Sequence, residues 1–222
     1  MLSVGASRQS KRPPMISLET ALTFSGAAIL LAWVPGPDNL FVLMQSALYG
    51  RKSGLLITLG LCTGLIGHTL AVALGVAAIF QTSQLAFTAL KVIGAVYLLY
   101  LAYRAFRASP QSLSGYEERP KPLWQMYVRG IVMNLTNPKV ALFFLAFLPQ
   151  FAAPARGSMV LQMLTLGGIF IICALASFAV IASLAGSLSA WLQRSRNSQT
   201  VLNRVAGGVF VGLALKLATA HR

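Results

Sequence analysis

The sequence predicts an all-α integral membrane protein with six transmembrane helices, arranged as an inverted three-plus-three repeat in which helices one and four are broken. Three observations lead to this fold class: the composition, the number of apolar stretches, and two matching helix breaks. Of the 222 residues, 56% are hydrophobic and 10% are charged, and the mean hydropathy is +0.71, whereas a soluble domain carries roughly 25% charged residues. We therefore expect a single transmembrane domain over residues 15–222, preceded by a polar extension at 1–14.

Six stretches of the chain are apolar enough to cross a bilayer, which takes about 20 apolar residues per helix. Span two contains no Asp, Glu, Lys or Arg, whereas span three contains Lys91. The longest polar segment, at 104–122, is too short to fold as a domain by itself. The predicted spans are 17–34, with a second apolar piece at 39–49, and then 54–80, 85–103, 126–150, 159–190 and 200–218.

Spans one and four are each interrupted by a short segment that cannot continue a helix. The first is PGPDN at 35–39 and the second is NLTNPK at 134–139. Proline lacks an N–H donor and frees a carbonyl one turn earlier. Broken backbone and ionised side chains at membrane depth are costly unless they line a polar cavity or are buried in protein. The two breaks therefore indicate a binding site.

Short sequence matches recur in the same order in the two halves of the chain, which are about 15–107 and 122–220. Because three is an odd number of spans, the second half must be inverted relative to the first, an arrangement typical of secondary transporters. The matches are Pro37-Asp38 with Pro138-Lys139, Thr58-Leu59-Gly60 with Thr165-Leu166-Gly167, and Lys91–Tyr97 with Arg204–Phe210.

Lysine and arginine in short loops predict the orientation, since they favour the cytoplasmic side. The loops at 50–53, 104–122 and 191–199 carry most of these residues, whereas the loops after spans two and four contain only Arg156. We expect the first three loops in the cytoplasm of a bacterium, as part of a multi-pass inner-membrane protein. Both termini would then lie outside. The basic residues at 8, 11 and 12 oppose this orientation unless translation starts at Met15.

The net charge of +14 comes from 18 Lys and Arg against 4 Asp and Glu. Because the basic residues cluster at the ends of spans, we assign them to orientation and to lipid headgroups, and we expect no nucleic-acid partner. Cys62 and Cys173 lie inside apolar spans. They are predicted to be packing residues rather than part of a disulfide or metal site, and no cofactor is expected.

Asp38 is the only carboxylate expected inside the membrane, because Glu19 begins span one and Glu117 and Glu118 lie in a loop. One interpretation makes Asp38 the N-cap of the helix after the break. The other makes it a binder of a cationic group or a proton-coupling carboxylate, since ionisable residues inside membranes are functional by default. The two interpretations are compatible.

Lys139 occupies the equivalent position in the second half. It either extends to the membrane interface or faces Asp38 near the midplane, close enough to pair directly or through substrate. Free helix N–H groups attract carboxylates and unwound carbonyls attract ammonium groups, so the site suits a zwitterion such as an amino acid. The predicted substrate-binding residues are Pro35, Gly36, Pro37, Asp38, Asn39, Asn134, Asn137, Pro138 and Lys139.

Three further polar residues are weaker candidates. Gln45 and Gln150 each follow a break and are predicted, on position alone, to line the transport path. His68 lies beside a stripe of small residues at 60, 64, 67, 71 and 75, whose spacing predicts close helix packing. A lone histidine there is either a packing residue or a proton relay.

Enzyme motifs are absent from the sequence, which contains no HExxH, GxSxG or Walker A pattern. No catalytic residue is expected, and uphill transport would have to use an ion gradient or a partner protein. A passive membrane channel and a membrane assembly protein of similar topology stay open as alternatives.

Four motifs carry a family resemblance: PGPD at 35–38, GLCTG at 60–64 with His68, GAVYL at 94–98, and NPKVALFFLAFLPQF at 137–151. With them the chain from Met15 onward resembles the lysine exporter (LysE/RhtB) family of bacterial amino-acid efflux translocators. The resemblance implies an inner-membrane exporter of amino acids or their derivatives, with protons as the coupling ion and a homodimeric assembly. It does not select a particular amino acid, and residues 1–14 lie outside the family pattern.

Overall fold

The computed structural model describes residues 14–76, 84–108, 122–187 and 196–219. Residues 1–13 of the predicted extension, the ends of predicted spans two and five, and most of the loop at 104–122 lie outside these ranges. Within them the chain forms eight α-helices and no β-strand. The helices are α1 (Leu18–Trp33), α2 (Pro37–Tyr49), α3 (Arg51–Ala71), α4 (Gln84–Arg107), α5 (Leu123–Thr136), α6 (Pro138–Leu142), α7 (Met159–Ser183) and α8 (Arg196–Thr219).

Two helices continue into turns of different winding. A π-helical turn, Val72–Val76, extends α3. A second π-helical turn, Phe143–Phe147, and a 3-10 turn, Leu148–Phe151, extend α6. π-Helical turns are rare and occur frequently at functional sites, and the second one begins five residues after the break at Pro138.

Four helices are long and apolar enough to cross a membrane by themselves: Arg51–Gly75, Thr88–Arg107, Met159–Ser183 and Gln199–Thr219. Two bent pairs pass the same test together. α1 meets α2 at 61°, and α5 meets the Pro138–Phe151 segment at 50°. If each bent pair is one span, the described chain has six spans. The predicted all-α membrane fold with broken first and fourth spans is confirmed.

Local sequence explains where both bent spans break. α1 ends with the Val34 N–H bonded to the Leu30 carbonyl at 3.0 Å, after which Pro35 and Pro37 supply no N–H. Pro37 then takes the first position of α2, where a missing donor has no cost. In the second half, the Asn137 side chain caps α6 by accepting from the Lys139 N–H at 3.0 Å.

Helices of one half pack on helices of the other half. In the repeat, α3 corresponds to α7 and α1 corresponds to α5. The structure packs α3 against α5, and it packs α7 against α1. α4 and α8, which are also counterparts, pack on each other. This exchange of partners agrees with the predicted repeat, and it brings the two breaks together in the middle of the bundle.

Glycines set the distance between α3 and α5. A Cβ at Gly60 would overlap the Tyr127 carbonyl, and a Cβ at Gly64 would lie 2.7 Å from the Asn134 Cβ. Gly67 also faces α5, through Leu135. The predicted close packing is confirmed for these three glycines. It is wrong for the end of the stripe, because Gly75 has no neighbour within 4 Å and residue 71 is exposed.

Candidate functional site

The Lys139 side chain links the two breaks. Its Nζ donates to the carbonyl oxygens of Leu31 at 3.3 Å and Val34 at 3.2 Å. Both carbonyls belong to the end of α1, where helical carbonyls lose their usual donors. The donor for Leu31 would be residue 35, which is a proline. The break in span one thus creates the acceptors that the lysine of span four uses.

Lys139 is only 7% exposed. The interpretation in which it extends to the membrane interface is therefore wrong. The bound carbonyls lie 108 and 105 residues away in sequence, and they hold the ammonium inside the bundle because an unpaired buried charge would be far more costly.

Gly36 leaves room for the Lys139 ammonium. A Cβ at this position would lie 3.1 Å from Nζ and 3.6 Å from Cε of Lys139. The backbone of Gly36 is extended, with φ −165°, so any residue could adopt its conformation. Space, and not backbone freedom, favours glycine here.

Asp38 is 2% exposed and is the second residue of α2. The predicted N-cap role is wrong, because Gly36 holds the cap position and no side chain caps α2. The Oδ1 atom of Asp38 has no hydrogen-bond partner. Within the described residues no salt bridge joins the carboxylate to Lys139.

Asp38 and Lys139 instead border the same small cavity, of about 20 Å³, together with Asn134. That volume accommodates about one water molecule. The two charged side chains thus line a common space for about one small polar group, and no hydrogen bond joins them in the described chain.

Four buried side-chain atoms near the breaks lack hydrogen-bond partners in the described chain: Asp38 Oδ1, Asn39 Oδ1, Asn134 Oδ1 and Asn137 Nδ2. Asn39 uses its other end to donate to the Ala32 carbonyl. A buried polar atom without a partner costs about 1–3 kcal/mol, and native proteins contain few of them. Their concentration at the breaks is typical of a site that binds a polar ligand.

A larger cavity of about 560 Å³ reaches the breaks from one end of the bundle. This volume lies within the range of small-molecule sites, about 300–1,000 Å³. Six of the predicted site residues form its inner end: Pro35, Gly36, Pro37, Asn137, Pro138 and Lys139.

Several residues of the larger cavity were not assigned by the sequence analysis. The wall includes Tyr97 of α4, Arg129 of α5 and Asn203 of α8. Arg129 lies with its guanidinium 4.4 Å from the centre of the Phe41 ring. A charged residue inside predicted span four was the available signal for Arg129, and it received no interpretation.

The three weaker candidates border neither of the two cavities. Gln45 is buried within α2. Gln150 donates to the Ala146 carbonyl at 3.3 Å. His68 is half-buried, with Nε2 3.1 Å from the Asn134 carbonyl oxygen and its ring 5.7 Å from that of Phe144. His68 therefore contacts the backbone of the second break from outside the cavities.

A group of phenylalanine rings packs near the breaks, and none of these rings borders the larger cavity. The ring centres of Phe143 and Phe147 lie 4.8 Å apart, and those of Phe24 and Phe151 lie 5.1 Å apart. Phe170 of α7 joins them, 5.3 Å from Phe143. We call these rings the aromatic layer: Phe24, Phe143, Phe144, Phe147, Phe151 and Phe170.

Comparison with known proteins gives matches over almost the whole chain. The family model described as LysE type translocator matches residues 29–221. The uncharacterized membrane protein PA4757 of Pseudomonas aeruginosa is 30% identical over 93% of this chain and 98% of its own length. An uncharacterized membrane protein of Vibrio cholerae is 32% identical, over 90% and 96%. The uncharacterized membrane protein YrhP of Bacillus subtilis is 28% identical, over 90% and 98%. No solved structure matches significantly.

Proposed function

The chain belongs to the LysE type translocator family, and we propose that it is a secondary active exporter of amino acids or amino-acid derivatives, coupled to protons, in the bacterial cytoplasmic membrane. The family indicates membrane transport of amino acids or similar compounds, and the apolar helices indicate a multi-pass membrane protein. Export, the coupling ion and the residue roles are our proposal.

The observation that carries the proposal is the 560 Å³ cavity, which ends at both breaks. Its inner end offers the Lys139 ammonium, and Asp38 borders the neighbouring 20 Å³ cavity. An amino acid has one charge of each sign and can satisfy opposite charges at once. We assign the substrate ammonium to the Asp38 side, and the substrate carboxylate to Lys139 and Arg129.

The position of the cavity supports loading from the cytoplasm. Its mouth is formed by Arg104 and Ala108 at the end of α4, and by Gln199 at the start of α8. Positively charged loop ends favour the cytoplasmic side. We take the aromatic layer, none of whose rings borders this cavity, to close the path on the outer side of the breaks. An exporter that has just released substrate outside and reopened inward would have this arrangement, whereas a passive channel needs a continuous path.

An efflux experiment tests the proposal. Cells loaded with a panel of labelled amino acids should show efflux that depends on the protein and falls when the proton gradient is collapsed. Inverted vesicles, whose cytoplasmic face points outward, should instead accumulate the same compounds from the medium. Asp38→Asn should reduce efflux at least about tenfold. Glu19→Gln, which changes an exposed carboxylate at the start of α1, is the matched control and should not.

Two results would contradict the proposal. One is the absence of wild-type efflux across a broad panel of amino acids and derivatives. The other is wild-type efflux that never exceeds downhill equilibration, which would indicate a passive channel instead.

A further inference from the structure

We propose that the carbonyl oxygens of Leu31 and Val34 form a cradle for a primary ammonium group. Lys139 fills the cradle in this conformation, and the ammonium group of the substrate replaces it during transport. The first part concerns only the structure at hand, while the second rests on the proposed export function. Such a subsite restricts the substrate class to compounds that carry a primary amine.

The chemistry of the cradle fits a primary ammonium group. An ammonium has three N–H donors, and two carbonyl oxygens accept from Lys139 at 3.2 and 3.3 Å. The C-terminal end of a helix carries partial negative charge, which adds electrostatic attraction. Asp38 Oδ1 and Asn134 Oδ1 lie beside the site, both buried and both without a donor.

Lys139 also separates the two cavities. Among the residues that the structure describes, it is the one that borders both the 560 Å³ cavity and the 20 Å³ cavity. If its side chain leaves the cradle, the two spaces join and the larger cavity gains access to Asp38. The position of the Lys139 side chain would therefore control access to Asp38 from the larger cavity.

Replacement of the Lys139 ammonium by a second ammonium group is the favourable way to join the two cavities. Withdrawal of Lys139 alone would leave Asp38 as an uncompensated buried charge, which is strongly destabilising. A substrate ammonium entering as Lys139 leaves keeps the charge and the hydrogen-bond donors in place. The released Lys139 can then face the substrate carboxylate. A quaternary amine cannot perform this exchange, because it has no N–H to donate.

Amine binding to purified protein tests the cradle without any transport measurement. The variants are Lys139→Ala, which vacates the cradle, Lys139→Met, which removes the ammonium but keeps a long side chain in place, and Lys52→Ala, which removes an exposed lysine. Thermal unfolding is followed in ethylammonium chloride and in tetramethylammonium chloride, at equal ionic strength.

Ethylammonium should raise the midpoint of Lys139→Ala by about 5 °C or more at a hundred times its Kd. It should raise wild type, Lys139→Met and Lys52→Ala much less, since their cradles are filled or unchanged. Tetramethylammonium should not raise the unfolding midpoint of any of the four proteins. The proposed cradle would be contradicted if the two salts shifted the unfolding midpoint of Lys139→Ala equally. It would also be contradicted if ethylammonium shifted the midpoints of wild type and Lys139→Ala equally.

Failure of Lys139→Ala to fold is also decisive. If the variant is recovered from membranes only when ethylammonium is present, the amine has replaced the missing lysine, and the cradle is supported. If it is recovered with neither salt, the cradle is contradicted. Amine binding without export of any amino acid would preserve the cradle and refute the proposed function; export without amine binding would do the reverse.

Discussion

Removal of either buried charge at the breaks, Asp38 or Lys139, should destabilise the protein. Removal of both should lower the free energy of unfolding by less than the sum of the two single effects. Asp38 and Lys139 are 2% and 7% exposed, and both border the 20 Å³ cavity. Removing one of two neighbouring buried charges of opposite sign leaves the other uncompensated, which costs roughly 3–5 kcal/mol. We therefore expect Lys139→Met to lower the free energy of unfolding by about 4 kcal/mol.

Asp38→Asn should cost less, about 1–2 kcal/mol, because Lys139 keeps both carbonyl bonds and asparagine retains the shape of the side chain. The double variant Asp38→Asn/Lys139→Met buries no charge and should cost about 2–3 kcal/mol, well below the sum of the single changes. For a chain of this length, about 1 kcal/mol corresponds to roughly 2–4 °C in the unfolding midpoint. Lys139→Met should thus unfold about 10 °C below wild type.

The assay is thermal unfolding of the four proteins in one detergent, followed by tryptophan fluorescence. Glu19→Gln with Lys52→Met forms the control cycle, because both residues are exposed and their effects should add. If the Asp38–Lys139 cycle is additive to within about 0.5 kcal/mol, the two charges do not compensate each other, and the reasoning about the site is wrong.

Three other predictions address the packing, the cavity and the aromatic layer. Gly60→Leu should lower the free energy of unfolding by at least about 2 kcal/mol because the leucine side chain would overlap the facing backbone. Gly75→Leu is the control, since Gly75 has open space around it. Equal thermal unfolding midpoints for the two variants would contradict the prediction. Arg129→Gln should raise the KM for efflux at least about fivefold with a smaller change in maximal rate, measured against Arg156→Gln on an exposed turn; an unchanged KM would remove Arg129 from the substrate site. Phe147→Ala should allow substrate to leak down its gradient after the proton gradient is collapsed, and a variant that is folded but as tight as wild type would show that the layer is not the barrier.

The fold was predictable because hydropathy and proline position are local properties of the sequence. Twenty or so apolar residues make a span wherever they occur, and PGP at 35–37 or NP at 137–138 ends a helix in any context. Close packing of α3 was also predictable from glycine spacing, up to Gly67, although the spacing did not identify α5 as the partner helix. The small residues continue in the sequence to Gly75, but the helix that they would face ends at Thr136, so Gly75 has no neighbour within 4 Å.

The site was only partly predictable because its contacts join distant parts of the chain. Symmetry indicated that Asp38 and Lys139 would be neighbours, and opposite charge suggested a direct pair. The lysine instead binds the Leu31 and Val34 carbonyls, since Pro35 deprives one of them of its donor. Arg129 was overlooked because nothing in its local pattern connects it to residues of α2.

The bond between Lys139 and the end of α1 imposes an order on the biosynthesis of this protein. Asp38 and the free carbonyls are synthesised about a hundred residues before the lysine that satisfies them. At about 5–20 residues per second, the first half waits roughly 5–20 seconds with these groups uncompensated. During that interval the nascent chain must be sheltered by the insertion machinery or held at the membrane surface. A slowed ribosome between codons 38 and 139 should therefore increase degradation of the newborn protein, whereas the same delay after Lys139 has left the ribosome should not.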